Sequence, residues 1–359
     1  MTESQGRTVA DCWLTRRAPG WRRTKAGIPG ASAVGIIALL ATMVGRVVPV
    51  VGGPVIGIVL GLLLSATLGR RDSLQSGMTF VGGRVLQIAV VLLGAQLSLR
   101  QVLRVGVGSL PVMIGTLTVC LTLAGILGRR LGISRELRTL IGVGTGICGA
   151  SAIATISPVI RARDADVAYA ISTIFLFNIA AVLTFPAVGH LLALHQHAFG
   201  LFAGTAVNDT SSVVAAATSY GAAAGNYAVV VKLTRTLMII PISLGLAALT
   251  RRGDGTVTLP DRSSPITAIG TVLRLVPWFL VGFLLLAAAN SAGLIPGTAR
   301  PELATSSTFL ITASLTAIGL STDAAALRRA SHRPLLLGLT LWVAVGVTSL
   351  SLQALTGGL

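Results

Sequence analysis

The sequence predicts an all-α, polytopic membrane protein of about eleven transmembrane helices, and three observations lead there. Of its 359 residues 53% are hydrophobic and only 11% charged, where a soluble domain carries roughly 25% charged residues. Its mean hydropathy is +0.84. The apolar residues fall in runs long enough to cross a bilayer, with most of the basic residues between them. The net charge of +17 therefore sets orientation in a membrane, and no nucleic-acid partner is expected.

Residues 1–28 are polar and basic, with Arg7, Arg16, Arg17, Arg22, Arg23 and Lys25. They lack an apolar stretch, so they read as a disordered cytoplasmic tail, not a cleaved signal peptide. The transmembrane domain follows over 29–355. Its runs are 29–48, 51–68, 84–99, 106–128, 139–158, 167–189, 198–220, 226–250, 270–290, 304–322 and 334–354, each near the roughly 20 residues that span a bilayer. Gly52-Gly53-Pro54, Arg129-Arg130, Arg251-Arg252-Gly253-Asp254 and Ile295-Pro296-Gly297 mark loops between them.

With the N-terminus in the cytoplasm, about 20 basic residues lie inside. Only Arg46, Arg100, Arg104, Arg161, Arg163 and Arg300 fall opposite, which fits the positive-inside rule. The C-terminus then lies outside, and His190, His195 and His197 share one cytoplasmic loop. An odd number of runs invites a leading helix plus two inverted five-helix units, in which the fifth run corresponds to the tenth, Ser306–Thr322.

The fifth run is broken by Gly142, Gly144, Gly146 and Gly149, each weakening a helix by about 1 kcal/mol relative to Ala. On a helix Thr145, Cys148, Ser151 and Thr155 share a face. Freed backbone groups at membrane depth need protein or a watery cavity to satisfy them, so this run predicts a site near the midplane. The seventh run holds a second polar cluster, with Thr205, Asn208, Asp209 and Ser212 on one face. Asp209 is the only carboxylate well inside a run, and burying a charge there costs at least about 2.5 kcal/mol. The eighth run carries Lys232 and Arg235, i and i+3 neighbours beside Thr236. Lys232 lies near enough to the run's start to snorkel, whereas Arg235 is deeper. One acid and two bases leave a positive surplus that suits an anion. Either Asp209 neutralises one base, or its proton is exchanged with substrate. Asn178 and Pro186 in the sixth run are open to a site role, with helix contact and kinking the favoured reading.

Gly144-Thr-Gly-Ile-Cys-Gly-Ala-Ser-Ala-Ile, Ala203-Gly-Thr-Ala-Val-Asn-Asp-Thr-Ser-Ser-Val-Val-Ala-Ala, Val231-Lys-Leu-Thr-Arg and Ala317-Ile-Gly-Leu-Ser-Thr together resemble the YeiH-like bacterial inner-membrane proteins, a family named for sulfate export. The resemblance covers about residues 30–355. It implies a multi-pass protein of the bacterial plasma membrane, a secondary transporter for sulfate or a related sulfur-containing anion, and no established set of binding residues.

Catalytic motifs are absent: no His-Glu-x-x-His, no Gly-x-Ser-x-Gly and no Walker loop. Cys12, Cys120 and Cys148 lack disulfide or metal spacing, and the three loop histidines lack ligand partners. No cofactor, no metal and no enzyme activity are expected. The expected substrate site is Thr145, Gly146, Cys148, Gly149, Ser151, Thr205, Asn208, Asp209, Ser212, Lys232 and Arg235. Its expected partners are a small anion and the lipid bilayer, with coupling to a proton or sodium and a homo-oligomeric state left open. Two other readings stay open at this point: an intramembrane enzyme using Cys148, which needs a base, and a channel or structural subunit.

Overall fold

A computed structural model describes residues 20–47, 52–68, 72–243, 245–246, 278–321 and 332–358. Residues 1–19 and the loop residues Arg70, Arg71, Arg251, Arg252, Arg262, Arg274, Arg328 and Arg329 lie outside the described residues, as does Thr322 at the end of the tenth run. The described residues are almost wholly helical, without a strand among them, in keeping with an all-α membrane protein.

The elements are α1 (Gly20–Val47), α2 (Gly52–Leu68), α3 and α4 (Leu99–Arg130), then α5 (Arg135–Gly146), α6 (Ala150–Ile156), α7 (Asp164–Leu191), α8 (Gln196–Ala206) and α9 (Thr210–Tyr220), and finally α10 (Ala222–Thr236), α11 (Trp278–Ser291), α12 (Ala299–Ser321) and α13 (His332–Leu355). Element α3 is continuous but irregular: Asp72–Phe80, a π turn at Val81–Val85, Leu86–Leu93 and a closing 3-10 turn at Gly94–Gln96. Two boundaries differ from expectation. Helix α1 begins at Gly20, inside the stretch read as a tail, and α3 begins at Asp72, well before residue 84. Local sequence explains several starts. Ser98 and Gln101 form a reciprocal capping box on α4, at 3.2 and 2.9 Å. Ser134 accepts from the Leu137 N–H at the start of α5, where Glu136 complements the helix dipole.

The helices pack as two bundles. In one, α1, α2, α3, α11 and α12 associate, with α2 and α12 in backbone contact. A Cβ at Gly319 would stand 2.5 Å from the Ile58 carbonyl oxygen, so only glycine permits the approach. The other holds α4 to α10 and α13 around a core that includes Leu140, Ile153, Phe199 and Leu341. A seam of Val90, Val214, Val229, Phe283 and Leu315 joins them.

Two of the eleven apolar runs are each broken into two arms that turn back on themselves. The seventh run breaks at Val207–Asp209, and its end returns to its beginning. Tyr220 stacks on Phe199 with ring centroids 3.9 Å apart, and its hydroxyl donates to the Leu194 carbonyl. The Gln196 side chain accepts from the N–H groups of Ala223 and Ala224, at 3.0 and 3.3 Å. Thus α8 and α9 are the arms of a re-entrant hairpin. The fifth run does the same from the opposite face. Its arms α5 and α6 lie side by side, since a Cβ on Gly144 would meet Ile153 Cδ1 at 3.0 Å. Beyond α6, Arg163 pairs with Asp166 at 2.9 Å and lies close enough to Glu136, at the start of α5, for both carboxylates to hold its guanidinium charged. Helix α7 then crosses from that face to the one where α8 starts.

We call the face where α1 begins the N-side and its opposite the C-side. The α5–α6 hairpin enters from the N-side and α8–α9 from the C-side. Helix α12 is unbroken over Ala299–Ser321, and the second broken run is the seventh. The loop bearing Arg161 and Arg163 moves to the N-side with Arg129 and Arg130, contrary to the order of strictly alternating spans. His190, His195 and His197, all exposed, move to the C-side, contrary to the cytoplasmic loop read from the sequence.

Single cysteines at Arg161 and at Gly132 are expected to react with an impermeant maleimide from the same face, and one at His195 from the other. Labelling of positions 132 and 161 from opposite faces would restore a crossing fifth run.

Candidate functional site

Each hairpin ends in a short non-helical tip, and the tips touch at mid-depth. At the first tip Ile147 leaves helical geometry (φ −123°, ψ −88°) and Gly149 follows at φ +68°. That positive φ favours glycine, and so does space: a Cβ would lie 3.3 Å from the Asp209 Cβ. At the second tip Val207 and Asp209 are extended, and Asp209 caps α9, its carboxylate accepting from the Ser211 N–H at 3.1 Å and from the Ser211 hydroxyl. The Asn178 side-chain oxygen, on α7, accepts from the N–H groups of Asn208 and Asp209 at 3.2 and 3.3 Å.

Lys232 on α10 holds the two tips together. Its ammonium donates to the Ile147 carbonyl at 2.7 Å and the Val207 carbonyl at 2.9 Å. These oxygens belong to the C-caps of α5 and α8, where helix dipoles concentrate negative charge. Lys232 is fully buried and does not snorkel. One turn on, fully buried Arg235 donates through Nη1 to the Thr205 carbonyl, while its Nε and Nη2 find no partner among the described residues. Neither base makes a salt bridge with Asp209; among the described residues the salt bridge formed is Arg163–Asp166. The reason is local geometry, since the helix break turns Asp209 into a cap.

On the other side of the tips lies a cavity of about 310 Å³ in the seam between the bundles. Ser151, Asn178, Asp209, Thr210 and Ser211 line it from the hairpin bundle. Gly82, Gly83 and Gln87 line it from α3, at and just past the π turn. Such turns are frequent at functional sites. Phe279 and Ile318, near the N-side ends of α11 and α12, complete the wall, so the cavity sits in the N-side half.

The sequence-read residues therefore divide. Gly149, Asn208 and Asp209 form the meeting tips, Ser151 and Asp209 reach the cavity, and Lys232 ties the tips from behind. Thr145 and Gly146 are buried in the last turn of α5, Gly146 against Leu117 of α4. The Thr205 hydroxyl turns to Ser349 on α13 at 2.7 Å, Ser212 is buried within α9, and Arg235 lies behind the tips. Cys148 is buried, its sulfur 3.0 Å from the Ser151 hydroxyl. The faces expected from unbroken helices do not form, because Thr145 and Ser151, like Thr205 and Ser212, sit on different arms. Sequence reasoning missed Thr210, Ser211, Gln87 and the Gly82-Gly83 pair, and ranked a site role for Asn178 below a helix contact. A polar amide amid a long apolar run was the available signal.

A family profile described as Conserved hypothetical protein 698 matches residues 29–338. The chain is 41% identical over 334 residues to a UPF0324 membrane protein of Streptococcus pyogenes, covering 92% of this chain and 97% of the relative. This chain belongs to the UPF0324 family of membrane proteins. A UPF0324 protein of Fusobacterium nucleatum is 39% identical over 342 residues, covering 90% of this chain and 96% of its own length. One from Streptococcus agalactiae is 40% identical over 337 residues, with 93% and 98% covered. The YeiH-like resemblance carried by the glycine-rich and Asn-Asp motifs is borne out at this level. In this UPF0324 protein both motifs are hairpin tips.

Replacing Lys232 by Ala strands two buried helix-end carbonyls, for which about 2–4 kcal/mol of destabilisation is expected. Gly149→Ala forces a left-handed alanine at the crowded tip and is expected to cost ~2 kcal/mol. Thermal unfolding in detergent measures both; variants melting within a degree of the parent would contradict the tip geometry.

Proposed function

We propose that this UPF0324 protein is a secondary carrier that exports a small anion, sulfate or a related sulfur-containing anion being the class its resemblance implies. The observation that supports this reading most directly is the meeting of two hairpins, inserted from opposite faces, at a polar cavity between two bundles. Discontinuous helices meeting at mid-membrane are how secondary transporters build sites. The seam supplies the movable boundary: sliding of one bundle against the other moves the cavity from one face to the other. The basic residues collected on the N-side, now joined by Arg161 and Arg163, support placing the cytoplasm there. The cavity then stands in the cytoplasmic half, where an exporter loads.

The charge balance supports an anion. Lys232 and Arg235 lie behind the tips with Asp209 as the one acid at the tips among the described residues, and buried positive charge attracts a counter-charge at short range. Asp209 faces the cavity, so its ionised carboxylate repels an anion. Binding of a proton to Asp209 and of the anion beside it then favour each other, and the linkage is reciprocal. A proton bound this way travels with the anion, so outward flux is driven by the anion's own gradient and by the inside-negative potential acting on its remaining charge. Cys148 serves packing at the tip in this reading, since no histidine stands beside it to act as its base.

Radiolabelled sulfate counterflow in liposomes holding the purified protein is the test. Transient uptake driven by internal unlabelled sulfate is expected, abolished in Asp209→Asn or freed from its dependence on pH, and reduced by less than about threefold in Cys148→Ala. No counterflow with sulfate, thiosulfate or sulfite, from protein with a cooperative melt, would overturn the carrier reading.

A further inference from the structure

A larger cavity, about 480 Å³, opens in the C-side half of the same seam and has no role so far. The turn between α3 and α4 and the first turns of α4 supply Gln96, Gln101 and Arg104, while α8 and α10 supply His197, Asn226 and Tyr227. Two pairs among these side chains are in contact: Asn226 lies 3.5 Å from the Gln96 side-chain oxygen, and the His197 ring stacks on Tyr227 with centroids 5.2 Å apart. The lining carries one permanent positive charge, three amides, an imidazole and a phenol, and no carboxylate. Among the described residues Glu302, at the start of α12, is the carboxylate that the topology puts on the C-side, and it does not line this cavity. Helices α4, α8 and α10 also all begin on this face, adding the positive ends of three dipoles.

An apolar plug separates this vestibule from the cavity at the hairpin tips. Val230 lines the vestibule and Val90 the central cavity, and both belong to the packed seam with Leu93, Val214 and Phe283. The two chambers therefore lie on either side of one packed contact.

We infer that the C-side vestibule is a second anion-binding station, in which Arg104, His197 and the amides of Gln101 and Asn226 hold a small oxyanion that has left, or is about to enter, the central cavity. The ligand class rests on the carrier reading; the station itself rests on this cavity. Arg104 offers a planar fork that matches an oxyanion. Gln101 and Asn226 offer uncharged donors, so the station holds its ligand loosely enough to release it.

The test reads occupancy without transport. The full chain, with Cys12, Cys120 and Cys148 replaced by Ser and Ala223→Cys as its one thiol, is put in liposomes and labelled from the C-side with an impermeant maleimide. Sulfate at twice its dissociation constant is expected to slow labelling about threefold, and Arg104→Gln to remove that protection while the melting temperature is kept. His197→Gln is expected to weaken protection in part. No protection by sulfate or thiosulfate, or equal protection in Arg104→Gln, would overturn the station. Protection without counterflow would overturn the carrier reading and leave the station standing; counterflow without protection would do the reverse.

Discussion

At membrane depth no water is at hand to bond a freed carbonyl, and Lys232 is where this protein meets that constraint. Breaking two helices at mid-bilayer frees two sets of chain ends, each costly to leave unpaired. A single ammonium, donating to Ile147 and Val207, closes both at once. Asn178 closes the complementary need, accepting from the Asn208 and Asp209 N–H groups. The tips stay together because α10 brings one cation, and α7 one amide, to the same point. Everything else about the site follows from that meeting. Gly149 is required where the first tip crowds Asp209, and Asp209 becomes a cap because α9 must start beside it.

The tie also separates charge by depth. Positive side chains stand behind the tips, within the hairpin bundle, and the polar cavity stands in front of them, against α3. The wall supplied by α3 is itself irregular. Its π turn brings Gly82 and Gly83 to the cavity, and a Cβ at Gly83 would meet nothing within 4 Å. The cavity is thus built from three interrupted segments, one from the α1–α3 side and two from the hairpins. The apolar seam around Val90, Val214 and Phe283 seals one of its ends. A seal of packed aliphatic side chains holds by area and not by directional bonds. Such a contact re-forms in a shifted register more readily than the tip does, because sliding valines lose no hydrogen bond, whereas parting the tips loses both carbonyl partners of Lys232.

Much of this was legible in the amino-acid sequence, for reasons specific to particular residues. Four glycines within the fifth run announced a break, and Asp209, Lys232 and Arg235 announced a buried polar site, because a bilayer makes both features costly. The hairpins were not legible. The α8–α9 hairpin, with arms of 11 residues each, has the length and hydropathy of one span. Only the contacts of its ends, such as Tyr220 with Leu194, distinguish the two. The break in the seventh run did carry a signal in retrospect: Asn208-Asp209-Thr210-Ser211 is a helix-start sequence, with Asp at the cap, placed where a helix was assumed to continue. The π turn was missed for another reason. Its Gly-Gly pair fell just before the assumed start of the third run, and an i to i+5 bulge leaves no periodic trace in so short a stretch.

One early charge assignment shows how the topology and the electrostatics constrain each other. With eleven simple crossings, Arg161 and Arg163 sat on the sparsely charged face, an exception to the positive-inside bias. With the α5–α6 hairpin they join Glu136, Arg129 and Arg130, and the exception disappears. The same change moves His197 to the opposite face, beside Arg104 and Asn226. Because the two hairpins enter from opposite sides, correcting the first without the second would reverse α10 and take Lys232 away from the Val207 carbonyl. Both returns are therefore needed for the single contact on which the site depends.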